Sequence, residues 1–339
     1  MNPLKKGDPA TIGGIALRGR LGEGGMGTVY FGVMPEGERV AIKTIRRDLT
    51  ANDEARERFE REMLALGMVT GPRVAALLAA SDPDEPDDAP PWFASEYIQG
   101  LTLTEYILER GPLTSTMTAA FGVMLAEGLR DIHAAGLMHR DFKPSNVILG
   151  NDGPRVIDFG LAGLIDGTGD ITHTSELLGT PVCMAPEQAS SLKDLTAAVD
   201  VYALGVVLMF ALTGRYPYDR PTVPSLLLAI SDPGIDPDLT GLPEDIKDLV
   251  GNMLAHHPQN RPALADVATE LTSLLDDPAQ REREFAQLTY IERDDDPPPA
   301  PPVPRRDRHR LSGEPHVPSD LVSDVAEKLR LEYARGAAL

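Results

Sequence analysis

The sequence predicts an α+β fold in which a small β-rich part precedes a larger, mainly helical part. Short apolar segments separated by glycine-rich and polar turns dominate up to about residue 98, a pattern typical of antiparallel strands. From residue 101 to about residue 275, apolar residues recur at helical spacing instead. The 339 residues, of which 42% are hydrophobic, can bury a sizeable core, so we expect a globular protein.

Three segments between residues 11 and 45 predict adjacent antiparallel strands. They read TIGGIALRGRL, TVYFGVM and RVAIKTI, and the polar turn PEGE separates the second from the third. Residues 53–68 interleave charged and apolar side chains at helical spacing after a cap at Asn52, which predicts one amphipathic helix. Residues 81–91, SDPDEPDDAPP, predict an acidic loop rather than a metal site, and WFASEYI after them predicts a further strand.

The helical part contains two long apolar patterns. One reads TSTMTAAFGVMLAEGLRDIHAAG, and the other, AAVDVYALGVVLMFALTG, is apolar nearly all round and is therefore expected to be buried. The apolar periodicity fades from Asp276 onward. DDDPPPAPPVPRR at 294–306 predicts an extended linker, and an apolar stripe near the end predicts a short helix. We expect one domain over 11–275, divided into 11–97 and 98–275, then an acidic and proline-rich linker over 276–318 and a helix over 319–339.

Charge and cysteine content limit the possible partners. The formal net charge of −20 argues against general affinity for nucleic acid or an anionic membrane, although a local basic pocket can still bind phosphates. No run of 18 apolar residues and no signal peptide is found, so we expect no membrane span in this chain and a cytoplasmic location. Cys183, the single cysteine, cannot form an internal disulfide, which agrees with a reducing compartment.

A glycine-rich segment is the first sequence feature that indicates a binding site. In LGEGGMGTVY, Gly22, Gly24 and Gly27 allow the backbone to approach phosphates closely, although a simple hairpin turn would also explain them. Predicted strands flank this segment on both sides, which suits a flap folded over a nucleotide. Lys43 in VAIK lies on the next strand, where its ammonium could reach the phosphates. Glu62 on the amphipathic helix can turn inward and pair with Lys43.

A second segment, HRDFKPSN followed by DFG, is more specific. Phosphoryl transfer requires charge neutralisation and alignment more than covalent chemistry. Asp141 can accept the proton of an attacking hydroxyl, and Lys143 can stabilise the transferring phosphoryl group. Asn146 and Asp158 offer oxygen atoms to Mg²⁺ or Mn²⁺ bridging the nucleotide phosphates.

Together with APE at 185–187, these motifs resemble those of the eukaryotic-like protein kinases. GEGGMGTVY, HRDFKPSNVIL and MAPEQ resemble in particular the bacterial, actinobacterial-type serine/threonine kinases. The resemblance covers about residues 11–275. It implies a two-lobed protein-kinase-like fold, ATP with Mg²⁺ or Mn²⁺ as cofactors, and protein substrates with Ser or Thr acceptors. Related kinases often dimerise, so a homodimer that phosphorylates itself in trans is also expected.

The resemblance assigns further roles within the nucleotide site. EYI at 96–98 matches the hinge that meets the adenine edge, Val29, Ala41 and Ile148 would sandwich the ring, and the small Ser95 occupies the back of the pocket. The full set of expected nucleotide-binding residues is Leu21, Gly22, Gly24, Gly27, Val29, Ala41, Lys43, Glu62, Ser95, Glu96, Ile98 and Ile148.

Structural roles outside the nucleotide site follow from the same resemblance. Asp200 matches a buried aspartate that braces the catalytic loop, and Glu187 with Arg261 matches an ion pair of the helical lobe. His139 is expected to pack in the core rather than act as a base. Cys183 is expected to be a packing residue near the acceptor site rather than a redox switch.

ITHTSELLGT at 171–180 lies between DFG and APE and so matches the activation segment. Thr172 and Thr174 match threonines that are phosphorylated in related bacterial kinases, and their phosphates could pair with Arg140 and Arg58.

Two other functions are compatible with these motifs. A catalytically impaired pseudokinase could act as a scaffold, and a small-molecule kinase of the aminoglycoside type could share the fold. The APE motif and the long segment from 158 to 187 favour a protein substrate over a small molecule.

Overall fold

The computed structural model describes residues 1–24, 27–45, 53–81, 90–158, 181–192 and 195–293, with the backbone alone at 53–58. In this part of the chain a six-stranded antiparallel sheet forms the small lobe, in the spatial order β1-β2-β3-β4-β6-β5. Its strands are β1 (Thr11–Ile12), β2 (Ile15–Glu23), β3 (Gly27–Val33), β4 (Arg39–Ile45), β5 (Leu77–Ala80) and β6 (Trp92–Glu96). The predicted antiparallel pairing of consecutive strands is confirmed.

The amphipathic helix predicted over 53–68 is present as α1 (Asp53–Met68), and it packs beside β5. Phe59 and Met63 are buried, and the ring of Phe59 lies 5.2 Å from that of Phe93 on β6. This apolar stripe holds α1 against the sheet. The expected cap at Asn52 and residues 82–89 of the acidic loop predicted at 81–91 lie outside the described residues.

The larger lobe is mainly helical. Its described helices are α2 (Leu103–Arg110), α3 (Ser115–Ala134), α4 (Pro186–Ala189), α5 (Ala198–Thr213), α6 (Val223–Ser231), α7 (Glu244–Met253), α8 (Leu264–Ser273) and α9 (Pro278–Thr289). A small antiparallel sheet of β7 (Leu101–Thr102), β8 (Val147–Gly150) and β9 (Gly153–Val156) lies next to the small lobe. The predicted α+β, two-lobed fold is thus confirmed.

The burial of α5 agrees with its sequence. Every residue from Val199 to Leu212 is buried, because the helix is apolar on all sides and crosses the centre of the large lobe. One apolar core extends from Ile45 and Phe59 in the small lobe to Phe285 in α9. The two lobes therefore share part of their hydrophobic interior.

Helix α9 differs from the linker expected from residue 276. Asp277 caps it by accepting a hydrogen bond from the Gln280 N–H at 3.0 Å, and Phe285 stacks on Phe121 of α3 with ring centres 5.3 Å apart. The sequence pattern missed this helix because PAQREREFAQLT has too few apolar residues to show a stripe. The predicted linker at 294–306 and the helix at 319–339 lie outside the described residues.

Arg73, in the loop between α1 and β5, joins the small lobe to the large one. Its guanidinium bonds Glu127 of α3 and Glu282 of α9, each at 3.3 Å, and donates to the backbone oxygen of Asp152 at 2.8 Å. In the described ranges, no helix is both long and apolar enough to cross a membrane.

Candidate active site

A cleft between the two lobes contains most of the residues predicted to bind a nucleotide. The predicted residues that line it are Leu21, Gly22, Val29, Ala41, Lys43, Glu62, Ser95, Glu96, Ile98, Ile148 and Asp158. They come from β2, β3, β4, α1, β6, β8 and the segments that follow β6 and β9, so the fold brings together parts of the chain that are far apart in the sequence.

Strand register explains why the small-lobe residues face the cleft. Ala41 and Lys43 are two residues apart on β4 and therefore point to the same side of the sheet. Val29 lies opposite Lys43 on β3, and Ser95 lies opposite Ala41 on β6. The alternate residues of β4 point the other way and are buried, including Ile42. The alternation of side chains along β4 thus makes the small-lobe side of the cleft apolar, apart from the ammonium group of Lys43.

The described residues of the glycine-rich segment lie at the end of β2 and the start of β3. The Gly24 N–H donates to the Gly27 carbonyl oxygen at 2.9 Å. A Cβ at Gly27 would come within 2.0 Å of the Thr44 carbonyl oxygen, so this position requires glycine. A Cβ at Gly22 or Gly24 would meet no atom of the described residues within 4 Å, so there is open space beside these two glycines.

Lys43 lies between two carboxylates. Its Nζ pairs with Oε1 of Glu62 and lies 3.6 Å from Oδ1 of Asp158. Burial alone would lower the pKa of Lys43, but Asp158 and Glu62 outweigh this effect and the pKa is raised, so the ammonium stays charged. Burial raises the pKa of Glu62, and Lys43 opposes that rise. The arrangement keeps a positive charge fixed in the cleft.

The loop at 139–146, hereafter the catalytic loop because it contains the predicted catalytic residues, is held by Asp200 on α5. The backbone N–H groups of His139 and Arg140 donate to its carboxylate at 2.8 and 2.9 Å, and Nε2 of His133 lies 2.7 Å from Oδ2. Burial would raise the pKa of Asp200, but its bond to His133 and the N–H of Arg140 reverse this, and the pKa is lowered. The buried carboxylate fixes Arg140 in the left-handed region, at φ 63°.

The same loop brings three predicted catalytic residues close together, namely Asp141, Lys143 and Asn146. Nζ of Lys143 is 2.6 Å from Oδ2 of Asp141, and Nδ2 of Asn146 donates to the Asp141 carbonyl oxygen at 3.0 Å. A short 3-10 helix, Pro144–Asn146, leads directly into β8. The Asp141 side chain is 48% exposed, so its carboxylate is open to an incoming group.

These residues fit a nucleotide-bound divalent cation. Because a carbonyl oxygen only accepts, the Asn146 amino group must face Asp141, which leaves the amide oxygen as the atom that can bind a cation. Asp158 offers a half-exposed carboxylate in the cleft, with φ at 52°. Among the described residues, no group of three or more His, Cys, Asp and Glu could hold a metal alone. Mg²⁺ is commonly held by one or two side-chain oxygens together with substrate phosphates and water.

The predicted ion pair of the large lobe is present. Arg261 holds Glu187 through two bonds of 2.6 and 2.7 Å, and its guanidinium lies 5.0 Å from the ring centre of Tyr202. This pair fixes α4, and Gln188 on α4 donates to the Arg140 carbonyl oxygen at 2.9 Å. Helix α4 is therefore tied to the loop that carries Arg140 and Asp141.

His139 and Cys183 are packing residues, as predicted. His139 is fully buried with its ring 5.3 Å from that of Phe142, and burial lowers its pKa. Cys183 is buried, and burial raises its pKa, which keeps it as an unreactive thiol.

Several cleft residues were missed by the sequence reasoning. They are Leu66, Ala75, Phe93, Gly100, Thr102, Glu105, Ile157 and Arg293. Thr102 and Glu105 carried a signal, since Thr-x-x-Glu is a capping box and the structure forms one at the start of α2. Arg293 carried no signal because its position depends on how α9 packs. Thr172, Thr174 and the side chain of Arg58 lie outside the described residues.

Comparisons with known proteins agree with this geometry. The protein kinase domain family matches residues 15–272. The protein named "Probable serine/threonine-protein kinase PkwA" of Thermomonospora curvata is 41% identical over 80% of this chain and 36% of its own length. Serine/threonine-protein kinase AfsK of Streptomyces coelicolor is 40% identical over 80% of this chain and 33% of its own length.

The chain thus spans about a third of the length of these two relatives. Serine/threonine-protein kinase PknK of Mycobacterium tuberculosis is 36% identical over 74% of this chain and 23% of its own length. The family match, the relatives and the two-lobed fold around the cleft lead to one conclusion: the chain belongs to the protein kinase family, among the bacterial eukaryotic-like serine/threonine kinases.

Proposed function

We propose that this domain transfers the γ-phosphate of ATP to Ser or Thr side chains of protein substrates. The observation that supports it best is the convergence of Lys43, Glu62 and Asp158 in the cleft, with the exposed carboxylate of Asp141 held beside Lys143. These groups provide phosphate neutralisation, cation binding and a proton acceptor, which are what phosphoryl transfer requires.

The nucleotide would lie along the cleft. The adenine would pack between Ala41 and Ile148 with its edge toward the hinge at 96–98, and the phosphates would lie toward Lys43. Asn146 and Asp158 would hold Mg²⁺ or Mn²⁺, which when bound neutralises charge on the phosphates. Glu62 fixes the direction of the Lys43 side chain.

Asp141 would orient the acceptor hydroxyl and take its proton. As the hydroxyl oxygen bonds to the γ-phosphorus, the bond from that phosphorus to the bridging oxygen breaks and ADP leaves. Lys143, held 2.6 Å from Asp141, can stabilise charge on the transferring group. The brace from Asp200 keeps Asp141 aligned, because the two residues before it are bonded to that carboxylate.

Autophosphorylation in trans at Thr172 and Thr174 is part of the proposal. Each phosphate would add about −1.5 to −2 charge and could pair with Arg140, whose backbone is fixed beside Asp141. Gly163 stands where related kinases often have a basic residue, so we expect only modest activation. Unmodified threonines in active enzyme, or an unchanged rate for the Thr172→Ala, Thr174→Ala double variant, would reject this part.

Partners and location are proposed on the same basis. ATP and protein substrates are the expected partners, and a homodimer would present one activation segment to a second copy. We place the reaction in the cytoplasm because it requires ATP. The net charge of −20 argues against nucleic acid as a partner.

A scaffold without catalysis is the alternative that the sequence left open. Phosphate-binding, cation-binding and proton-accepting side chains are all present, and the relatives that match are named kinases. We therefore favour catalysis.

The deciding experiment measures ³²P transfer from Mg-ATP to a generic basic protein and to the chain itself, with phosphopeptide mapping. Wild type should label Ser and Thr, whereas Asp141→Asn should remain folded and label neither. Asp219→Asn makes the same change at an exposed residue of the large lobe and should behave as wild type. Transfer by folded Asp141→Asn at the wild-type rate would reject the assigned role, and no transfer by wild type would favour the scaffold.

A further inference from the structure

The chain after α9 returns to the nucleotide cleft. Thr289 at the end of α9 is fully buried, Ile291 packs against the main core, and Oε1 of Glu292 accepts a hydrogen bond from Gln99 at 3.1 Å. Gln99 directly follows the hinge residues at 96–98. This segment therefore ends against the part of the chain that joins the two lobes.

Arg293, the last described residue, lines the cleft itself. Its guanidinium pairs with Oε1 of Glu105 in the first turn of α2, and its side chain is 23% exposed. Oε2 of Glu105 accepts from both the N–H and the hydroxyl of Thr102, at 2.8 and 2.9 Å. Thr102, Glu105 and Arg293 thus form a connected polar group, hereafter the rim group, on one wall of an otherwise largely apolar cleft.

The rim group differs in position and chemistry from the phosphate end of the cleft. Lys43 and Asp158 mark that end, whereas the rim group begins a few residues after the hinge that would meet the adenine. In a nucleotide, the sugar joins the base to the phosphates. Its hydroxyls both donate and accept hydrogen bonds, and the rim group offers guanidinium donors beside a carboxylate acceptor.

We propose that Arg293, supplied by the segment after α9, is a nucleotide-binding residue that together with Glu105 recognises the ribose hydroxyls of the bound nucleotide. The inference rests on the proposed function in so far as it takes the cleft to bind ATP. It adds a residue that lies beyond the match to the protein kinase family, which ends at residue 272. A guanidinium carries five N–H donors, more than one carboxylate oxygen can use.

The test measures binding by calorimetry, so that it does not depend on catalysis. Dissociation constants for ADP, 2′-deoxyADP and 3′-deoxyADP, each with Mg²⁺, are measured for the whole chain and for Arg293→Ala. Wild type should prefer ADP over at least one deoxy analogue by about tenfold, as expected for a hydrogen bond to a charged group. Arg293→Ala should weaken ADP binding and lose this preference while its thermal unfolding stays unchanged.

Two further variants make the result specific. Arg283→Ala removes the same charge from an exposed position on α9 and should keep the wild-type preference. Glu105→Gln keeps a residue that can form the capping box but removes the charge that holds Arg293, so it should also lose the preference for ADP. Combining it with Arg293→Ala should weaken ADP binding little further, because the two residues act together.

An equal loss of affinity for ADP and both deoxy analogues, or an unchanged preference in Arg293→Ala, would overturn the inference. Wild-type phosphoryl transfer with an unchanged preference would reject the inference and leave the proposed function intact. Selective ADP binding that depends on Arg293, without any phosphoryl transfer, would support the inference and reject the proposed function.

Discussion

Asp200 shows at the scale of one residue how a buried charge shapes the catalytic loop. An Asp200→Asn side chain would offer one acceptor oxygen and an amino group where two backbone N–H groups now donate. We expect a loss of about 2–4 kcal/mol in the free energy of unfolding, because a buried donor loses its partner. Urea unfolding measures this loss, and the rate of phosphoryl transfer should fall with it.

The same substitution predicts a pH dependence. The pKa of Asp200 is lowered in the folded state from its ordinary value of 3.8, so the folded protein binds fewer protons here than the unfolded chain. The stability advantage of wild type over Asp200→Asn should therefore be full above that value and shrink as the pH falls below it. A gap that widens on acidification would contradict this assignment.

Whether a residue could be assigned to the site from the sequence alone depended on what fixes its position in the fold. Lys43 and Asp158 belong to short motifs whose spacing follows from strand and loop geometry, and the structure brings them to one cleft. Glu105 could have been found from its capping box. Arg293 could not, because only the packing of α9 and the contact of Glu292 with Gln99 bring it to the cleft.

At the scale of elements, the sequence was most informative where apolar side chains repeat. Helix α1 and the buried α5 were predicted from their patterns, since each has enough apolar residues to reveal the helical period. Helix α9 was missed because one aromatic residue, Phe285, provides most of its anchoring and charged residues surround it. A single large buried apolar side chain gives no helical period to detect.

This difference makes α9 testable. Phe285→Ala would remove a ring that is 1% exposed and stacked on Phe121, and should cost about 3–5 kcal/mol in the free energy of unfolding. Leu288→Ala, in the same helix at a side chain that is 64% exposed, should cost far less. Urea unfolding of both variants gives the comparison. Equal, small losses would mean that α9 does not belong to the folded domain.

At the scale of the whole molecule, a ligand in the cleft should stabilise both lobes together. Mg-ADP at 100 times its dissociation constant should raise the free energy of unfolding by about 2.7 kcal/mol, because it binds only the folded chain. Lys43→Met should lose most of this gain at the same ADP concentration, whereas Asp141→Asn should keep it, since Asp141 acts on the acceptor rather than on the nucleotide. Thermal unfolding with and without Mg-ADP tests both.

The contacts of Arg73 have a mechanical consequence. They fix the loop after α1 to α3 and α9, so we expect any turning of α1 to take place about this end of the helix. Glu62 lies six residues before Met68 at that end, which at 1.5 Å per residue makes a lever arm of about 9 Å. A tilt of about 12° would then move the helix at Glu62 by about 2 Å, enough to carry its carboxylate out of hydrogen-bond range of Lys43. Because Arg73 anchors this end of the helix, a rotation of α1 of this size would decide whether the Lys43–Glu62 pair in the cleft is formed.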